Sequence, residues 1–183
     1  WKKAVFCLLP VLLFLFSGCG TQEEEESGQA FEVYYLNREE TAISSETVYL
    51  DENLTQDEQI SALLTALQTA PEDVSLKASA GTSFQINGYK VDEGQLNIDV
   101  DESYRKLTAT TEVLVRASLV RTFVQAEGIN HILMTVAGES LTDTSGTAVG
   151  PMTADTFIDN AGDAINPNEM VTLTLYFANE TGD

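Results

Sequence analysis

The segment LVRASLVRTFVQAEGINHILMTVAGESL, residues 114–141, decides the fold, because a helix pattern and a strand pattern follow each other within it. Apolar residues recur at helical spacing, which predicts a long helix from about Thr108 to Glu127. Gly128 stands where a left-handed residue commonly ends a helix. The stretch from Ile129 to Val136 contains few polar residues, which predicts a strand buried on both faces. The predicted helical stripe comprises Val113, Ala117, Val120 and Val124, widened by Leu114 and Phe123.

A second helix and two pairs of strands are predicted upstream of this unit. Thr55 and Glu58 have the spacing of a capping box, and the apolar stripe that follows ends before Pro71. Residues 31–36 and 47–50 predict two strands before that helix, and residues 82–101 predict a hairpin after it. The order β-β-α-β-β-α-β favours an α+β domain with two helices packed on one face of a small mixed sheet. The stripe of this upstream helix comprises Ile60, Leu63, Leu64 and Leu67.

The N-terminus, residues 1–18, has the form of a secretory signal peptide. Lys2 and Lys3 precede an apolar run over residues 4–16, which is shorter than the roughly 20 residues of a membrane span. The Ser-Gly pair that leads into Cys19 resembles the lipobox of bacterial lipoproteins, in which the chain is cleaved before a cysteine that becomes lipidated. We therefore expect a lipid anchor on Cys19, with palmitate among its acyl chains, and an acidic tether over residues 19–30.

Charge and cysteine content limit the partners. The formal net charge is −20, and loss of Lys2 and Lys3 with the signal peptide makes it −22 (−20 minus 2). Such a surface repels phosphate backbones, so nucleic acid is not expected as a partner. Cleavage would also remove Cys7 and leave a lipidated Cys19, so the mature protein is predicted to have no disulfide. After the tether about 150 residues remain, the size of one domain.

Candidate catalytic residues are few. His131 is the only histidine and lies in an apolar segment without a nucleophile motif, so we expect a structural role. Asp99 and Asp101 alternate along one face of a predicted strand and could serve glycan hydrolysis or Ca²⁺ binding, although Tyr104 occupies the position where a calcium loop of the EF-hand type needs glycine. We favour the simpler explanation for this pair, a solvated sheet face that runs into a loop. No cofactor and no metal site is predicted, because His and Cys clusters are missing from the sequence.

Four tyrosines could form a stacking surface for carbohydrate, but they are also natural strand residues, and we favour the core. They are Tyr34, Tyr35, Tyr49 and Tyr89.

Several segments in this order resemble the GerMN domain of sporulation and spore germination proteins. The likeness lies in VYYLNREE (33–40), ISALLTALQTAPED (60–73), GTSFQINGYKVDEGQLNIDVDESY (81–104), the segment 114–141 and GPMTADTFID (150–159). The domain is assigned to residues 31–141, followed by an extended connection over residues 142–170.

The C-terminal residues 171–183 resemble the start of the domain. VYYLNREET (33–41) aligns with TLYFANETG (174–182), which predicts the first strand of a truncated second GerMN repeat.

The resemblance implies a protein without catalytic residues, similar to the ring-building modules of secretion systems. It implies anchoring to the cell membrane on the extracytoplasmic side, between mother cell and forespore. The implied partners are sporulation membrane-complex proteins, and a homo-oligomer fits the same mode of assembly. The alternative left by the residues is an envelope lipoprotein that binds or hydrolyses peptidoglycan through Asp99 and Asp101.

Overall fold

The computed structural model describes residues 28–143 and 145–157, which form two α-helices and seven strands in two sheets. The α+β class is therefore confirmed, with two sheets in place of the single sheet expected. The predicted signal peptide, Cys19, most of the tether and the predicted repeat strand at 171–183 lie outside the described residues. Neither helix of the described ranges has the length and apolar character that a bilayer span requires.

The first sheet has the order β2-β1-β3. Its strands are β1 (Gln29–Asn37), β2 (Ile43–Leu50) and β3 (Leu76–Lys77). β1 pairs antiparallel with β2 through eight consecutive residue pairs, from Gln29↔Leu50 to Leu36↔Ile43. The turn between them is fixed by Asn37, whose side-chain oxygen accepts from the backbone N–H groups of Thr41 and Ala42.

The second sheet has the order β4-β5-β6-β7. Its strands are β4 (Ile86–Asp92), β5 (Gln95–Val100), β6 (His131–Val136) and β7 (Glu139–Ser140). β5 and β6 are parallel, and the other neighbours are antiparallel. The prediction that the strand at 129–136 is buried on both faces is wrong, because burial alternates along β6 and only one face meets the core.

Helix α1 (Gln56–Gln68) confirms its sequence pattern. Thr55 and Glu58 form the capping box: the Thr55 N–H donates to the Glu58 carboxylate at 2.8 Å, and the Glu58 N–H donates to the Thr55 hydroxyl at 3.4 Å. The helix ends at Gln68, and its C-cap residue Thr69 lies two residues before Pro71. The fully buried members of its stripe are Ile60, Leu63 and Leu67.

Helix α2 (Ala109–Phe123) links the parallel strands β5 and β6 and is capped by Thr108, as the pattern predicts. Its second half is buried on almost every side, because it packs against β1 as well as the second sheet. Val113, which was assigned to the buried stripe, is 44% exposed. Gly128 has the positive φ expected of it, +74°, although the helix ends earlier. One hydrophobic core joins both sheets and both helices.

Candidate interaction surfaces

Asp99 is a structural acceptor that joins three strands of the second sheet. One carboxylate oxygen accepts from the Thr135 hydroxyl at 2.6 Å and from the Gly138 N–H at 2.7 Å, and the other accepts from the Asn87 amide at 2.8 Å. These donors, with the Thr135 hydroxyl first, lower the pKa of Asp99 below its ordinary value. Its hydrogen-bonding capacity is therefore used in fixing the sheet and the turn before β7.

Asp101 has a different and local role. β5 ends at Val100, and the Asp101 carboxylate accepts from the Ser103 N–H at 3.0 Å, capping a 3₁₀ turn over Glu102–Lys106. The two aspartates thus stabilise separate pieces of backbone, and neither arrangement favours a shared catalytic role. Within residues 28–143 and 145–157, no group of three or more His, Cys, Asp and Glu side chains is placed to hold a metal ion.

The only histidine and the four tyrosines do not assemble a site either. His131 lies on the half-buried face of β6, 3.1 Å from the Gln95 side-chain oxygen. Tyr35 is buried and bonds the Ala66 carbonyl, whereas Tyr34 points to the opposite face beneath the Arg121 guanidinium, 5.6 Å from its ring centre. Tyr89, on β4 of the second sheet, donates to the Asp57 carboxylate of α1, and Tyr49 is 38% exposed on β2. The tyrosines therefore provide no common stacking platform.

On the side away from β2, β1 pairs with β3 only at Leu36 and Asn37, and the rest of that edge is covered by side chains of α2 and of the turn that follows it. The Glu32 N–H donates to the Gln125 side-chain oxygen at 2.9 Å, and the Gln125 amide donates back to the Glu32 carbonyl at 2.7 Å. The Tyr34 N–H donates to the Thr122 hydroxyl at 3.0 Å, and the Tyr34 carbonyl accepts from Ser118. Ser118 and Thr122 lie one turn apart on the same face of α2, and Gln125 follows in the turn just after the helix. These polar side chains take the place of a neighbouring strand at Glu32 and Tyr34.

The outer edge of β2 has no such cover within the described ranges. In an antiparallel pair, two residues directly opposite each other direct their backbone N–H and carbonyl groups either toward each other or, both of them, away from the partner strand. Glu32 and Tyr34 direct theirs toward α2, so their partners across the ladder, Thr47 and Ser45, must direct theirs away from β1. Because β2 is the last strand of its sheet, these groups point outward.

An open groove of about 710 Å³ lies beside this edge, between β2 and α1. The Glu46 carboxylate crosses it and accepts from the N–H groups of Glu72, at 3.1 Å, and Asp73, at 2.7 Å. This contact holds the loop after α1 against β2 and places two further carboxylates beside the strand. The helix and the two residues after it contribute small side chains to the groove: Ala62, Thr65, Ala66, Thr69 and Ala70.

A second groove, of about 630 Å³, lies where α2 meets the segment 154–157. Arg121 spans it, since its guanidinium lies over the Tyr34 ring and donates to the Phe157 carbonyl at 3.3 Å. The groove therefore borders the exposed face of the β1–β2 ribbon. Neither groove contains a cluster of side chains suited to catalysis.

Comparisons with known proteins agree with this fold. The family model described as sporulation and spore germination (Germane) matches residues 32–142. The tandem GerMN domains of the sporulation protein GerM from Bacillus subtilis are similar in structure, with 20% identity and a TM-score of 0.51, covering 71% of this chain and 46% of that one. The first GerMN domain of the same protein gives 16% identity and a TM-score of 0.52, covering 68% of this chain and 96% of that one. The chain thus spans less than half of the tandem structure, and no curated protein matches it.

Proposed function

Because this chain belongs to the sporulation and spore germination family, we propose that it is a non-enzymatic assembly protein of sporulation that acts outside the cytoplasm. The match over residues 32–142 carries the proposal, since it covers both sheets and both helices. In this proposal the domain binds neighbouring proteins of a membrane complex between mother cell and forespore.

The surface of the domain supports a role in binding other proteins in preference to catalysis. The carboxylates first considered for catalysis, Asp99 and Asp101, have their hydrogen-bonding capacity directed to local backbone and side-chain donors. In contrast, β2 offers a strand edge that no other part of residues 28–143 and 145–157 covers, and two grooves lie beside the first sheet. Such edges and grooves are the surfaces that proteins use to add strands and to pack against neighbours.

A membrane anchor at Cys19 fits the same proposal. Each buried CH₂ of an acyl chain contributes about 0.8 kcal/mol, and two chains are needed for durable anchoring. The four glutamates at residues 23–26 would keep the tether solvated and hold the domain away from the membrane surface. The anchored domain would then be free to meet proteins of the opposing membrane.

Deletion of the gene in a spore-forming host tests the proposed role. We expect fewer heat-resistant spores, restored by the full chain and by a variant with Asp99→Asn and Asp101→Asn together. Normal spore yield and normal germination after deletion would contradict a role in sporulation. If the double variant fails to restore spores although it folds and accumulates normally, the non-enzymatic assignment is wrong.

The anchor is tested separately with Cys19→Ala. We expect the variant to leave the membrane fraction and to lose incorporation of labelled palmitate, while Cys7→Ala changes neither. Unchanged membrane association and processing of Cys19→Ala would contradict the lipid anchor without affecting the sporulation proposal.

A further inference from the structure

The sheet edges of this domain differ sharply in how they are protected. An exposed strand edge pairs readily with other chains, so proteins shorten edges, bulge them, place lysine or proline on them, or cover them. β3 and β7 are two residues long each, and β4 has a register shift between Ile86 and Gly88 and carries Lys90. The free side of β1 is covered by α2. Of the edges in the described ranges, only that of β2 has none of these protections.

β2 is long enough and regular enough to receive another strand. It has eight residues, pairs with β1 without a register shift, and contains neither proline nor lysine. Ser45 and Thr47 direct their N–H and carbonyl groups outward, as the pairing of their partners requires. An extended segment aligned with β2 would therefore find donors and acceptors at the spacing of a β-ladder.

The charges beside this edge indicate the chemistry of the segment. Glu46, Glu72 and Asp73 lie along the groove, and among basic side chains Arg38 contacts the same loop, through the Val74 carbonyl. Three carboxylates against one guanidinium leave the edge negative. A second copy of this chain would bring the same carboxylates together, in addition to the overall charge of −20, so pairing between copies is disfavoured.

We propose that the outer edge of β2 binds, as an added strand, an extended segment of a different protein that carries lysine or arginine at alternate positions. Alternate side chains of that segment would enter the groove of about 710 Å³, where the small residues of α1 leave room and the carboxylates accept the cationic groups. This inference rests on the proposed role in assembly and names the partner class for one surface.

A pair of synthetic peptides tests the proposal with the full chain held in a non-ionic detergent. The first, TKVKVKVT, has the length of β2 and places lysines on one face, and the second replaces every lysine by glutamate. We expect the lysine peptide, labelled with a fluorophore, to bind with an affinity that falls as salt is raised, and the glutamate peptide to bind at least about tenfold more weakly. Equal binding of the two peptides would overturn the charge argument.

Variants at the edge separate strand addition from non-specific attraction. Thr47→Pro removes an outward N–H, a change that an edge strand tolerates, and should weaken binding about tenfold or more, whereas Thr47→Val should leave it unchanged. Glu72→Gln with Asp73→Asn should weaken binding and flatten its salt dependence, whereas Asp92→Asn with Glu93→Gln, in the β4–β5 turn, should not. If Thr47→Pro binds as well as the unchanged protein, the peptide is not an added strand and the proposal is wrong.

Two further measurements cover the cases in which Thr47→Pro does not fold and in which a second copy of the chain occupies the edge. If circular dichroism shows that Thr47→Pro is unfolded, a lysine peptide methylated on alternate backbone amides replaces it, and undiminished affinity in both methylation registers overturns the proposal. Concentration-dependent dimers that Thr47→Pro abolishes would show that a second copy occupies the edge, which also overturns it. The spore-yield assay is independent: a sporulation defect with no peptide binding removes this inference and leaves the proposed function intact.

Discussion

Replacing Thr122 by valine should destabilise the domain, because the Thr122 hydroxyl pairs with the Tyr34 N–H on the edge of β1. Thr122 is fully buried, so the N–H would lose its partner without gaining water, at a cost of about 1–3 kcal/mol. Burying a methyl group where the hydroxyl stood returns about 0.8 kcal/mol at most. Subtracting the second value from the first, we expect a net loss of about 0.2–2.2 kcal/mol in the free energy of unfolding, or up to roughly 10 °C in Tm. Urea unfolding, followed by circular dichroism, should show this loss as a lower midpoint, with an unchanged dependence of the unfolding free energy on urea concentration.

The matched control for this prediction is Thr110→Val on the same helix. Thr110 is exposed, and threonine and valine have similar helix propensities, so we expect a change within about 0.5 kcal/mol. Combining Thr122→Val with Ser118→Ala should give a non-additive loss, because both side chains bond the backbone of Tyr34. The reasoning is refuted if Thr122→Val is as stable as the unchanged protein, or if Thr110→Val loses as much.

Three further changes test other contacts. Because the pKa of Asp99 is lowered in the folded protein, its ionised carboxylate stabilises the fold above the ordinary carboxyl pKa, and this stabilisation is lost as pH falls through the lowered pKa. Asp99→Asn should therefore reduce the urea midpoint at pH 7, and the midpoint of the variant should decline less steeply in acid than that of the unchanged protein. Gly94 has φ +83°, and a Cβ there would lie 2.5 Å from a side-chain nitrogen, so Gly94→Ala should cost about 1–3 kcal/mol in thermal unfolding, whereas Gly150→Ala, in open space, should cost little. Tyr104→Phe removes a buried hydroxyl that donates to the Glu112 carboxylate at 3.1 Å, and should lower the free energy of unfolding in urea by about 1.5–3 kcal/mol.

The elements whose signals are local were predictable from the sequence. The capping box at Thr55 and Glu58 lies within one turn, and the stripe of α1 faces a single apolar surface, so start, end and buried face were all recovered. The hairpin of β4 and β5 was likewise recovered, because strict alternation along β5 and a turn containing Gly94 are both local features.

The second half of α2 shows where such reasoning fails. Periodicity assigns apolar side chains to the core, and so it placed Val113 inside and passed over Ser118 and Thr122. Those two polar residues are fully buried because the backbone of β1 needs donors and acceptors there. That need arises from a strand more than 80 positions earlier in the chain and leaves no periodic signal in the helix.

The edge of β2, which is uncovered within the described part of the chain, was not predicted for a related reason. The residues Thr47 to Leu50 were predicted as a strand, but the preceding Ile-Ser-Ser-Glu gave no strand signal, and the turn at Asn37 extends the pairing through them. Whether a strand is central or terminal depends on which neighbours the rest of the chain supplies. The sequence therefore predicted a strand here without indicating its open side.

The pairing of β1 with α2 has a consequence for how the domain acquires its structure. The contacts join residues 84, 88 and 93 positions apart, so they form only after more than half of the described chain is available. At a synthesis rate of about 5–20 residues per second, the backbone of Tyr34 would wait roughly 4–17 s for Ser118 to follow it from the ribosome. Contacts of such separation also slow folding, since the loop must close before it is stabilised. The amide protons of Glu32 and Tyr34 therefore report on the packing of α2 against β1. Hydrogen exchange at these two positions should become slow only after α2 has packed.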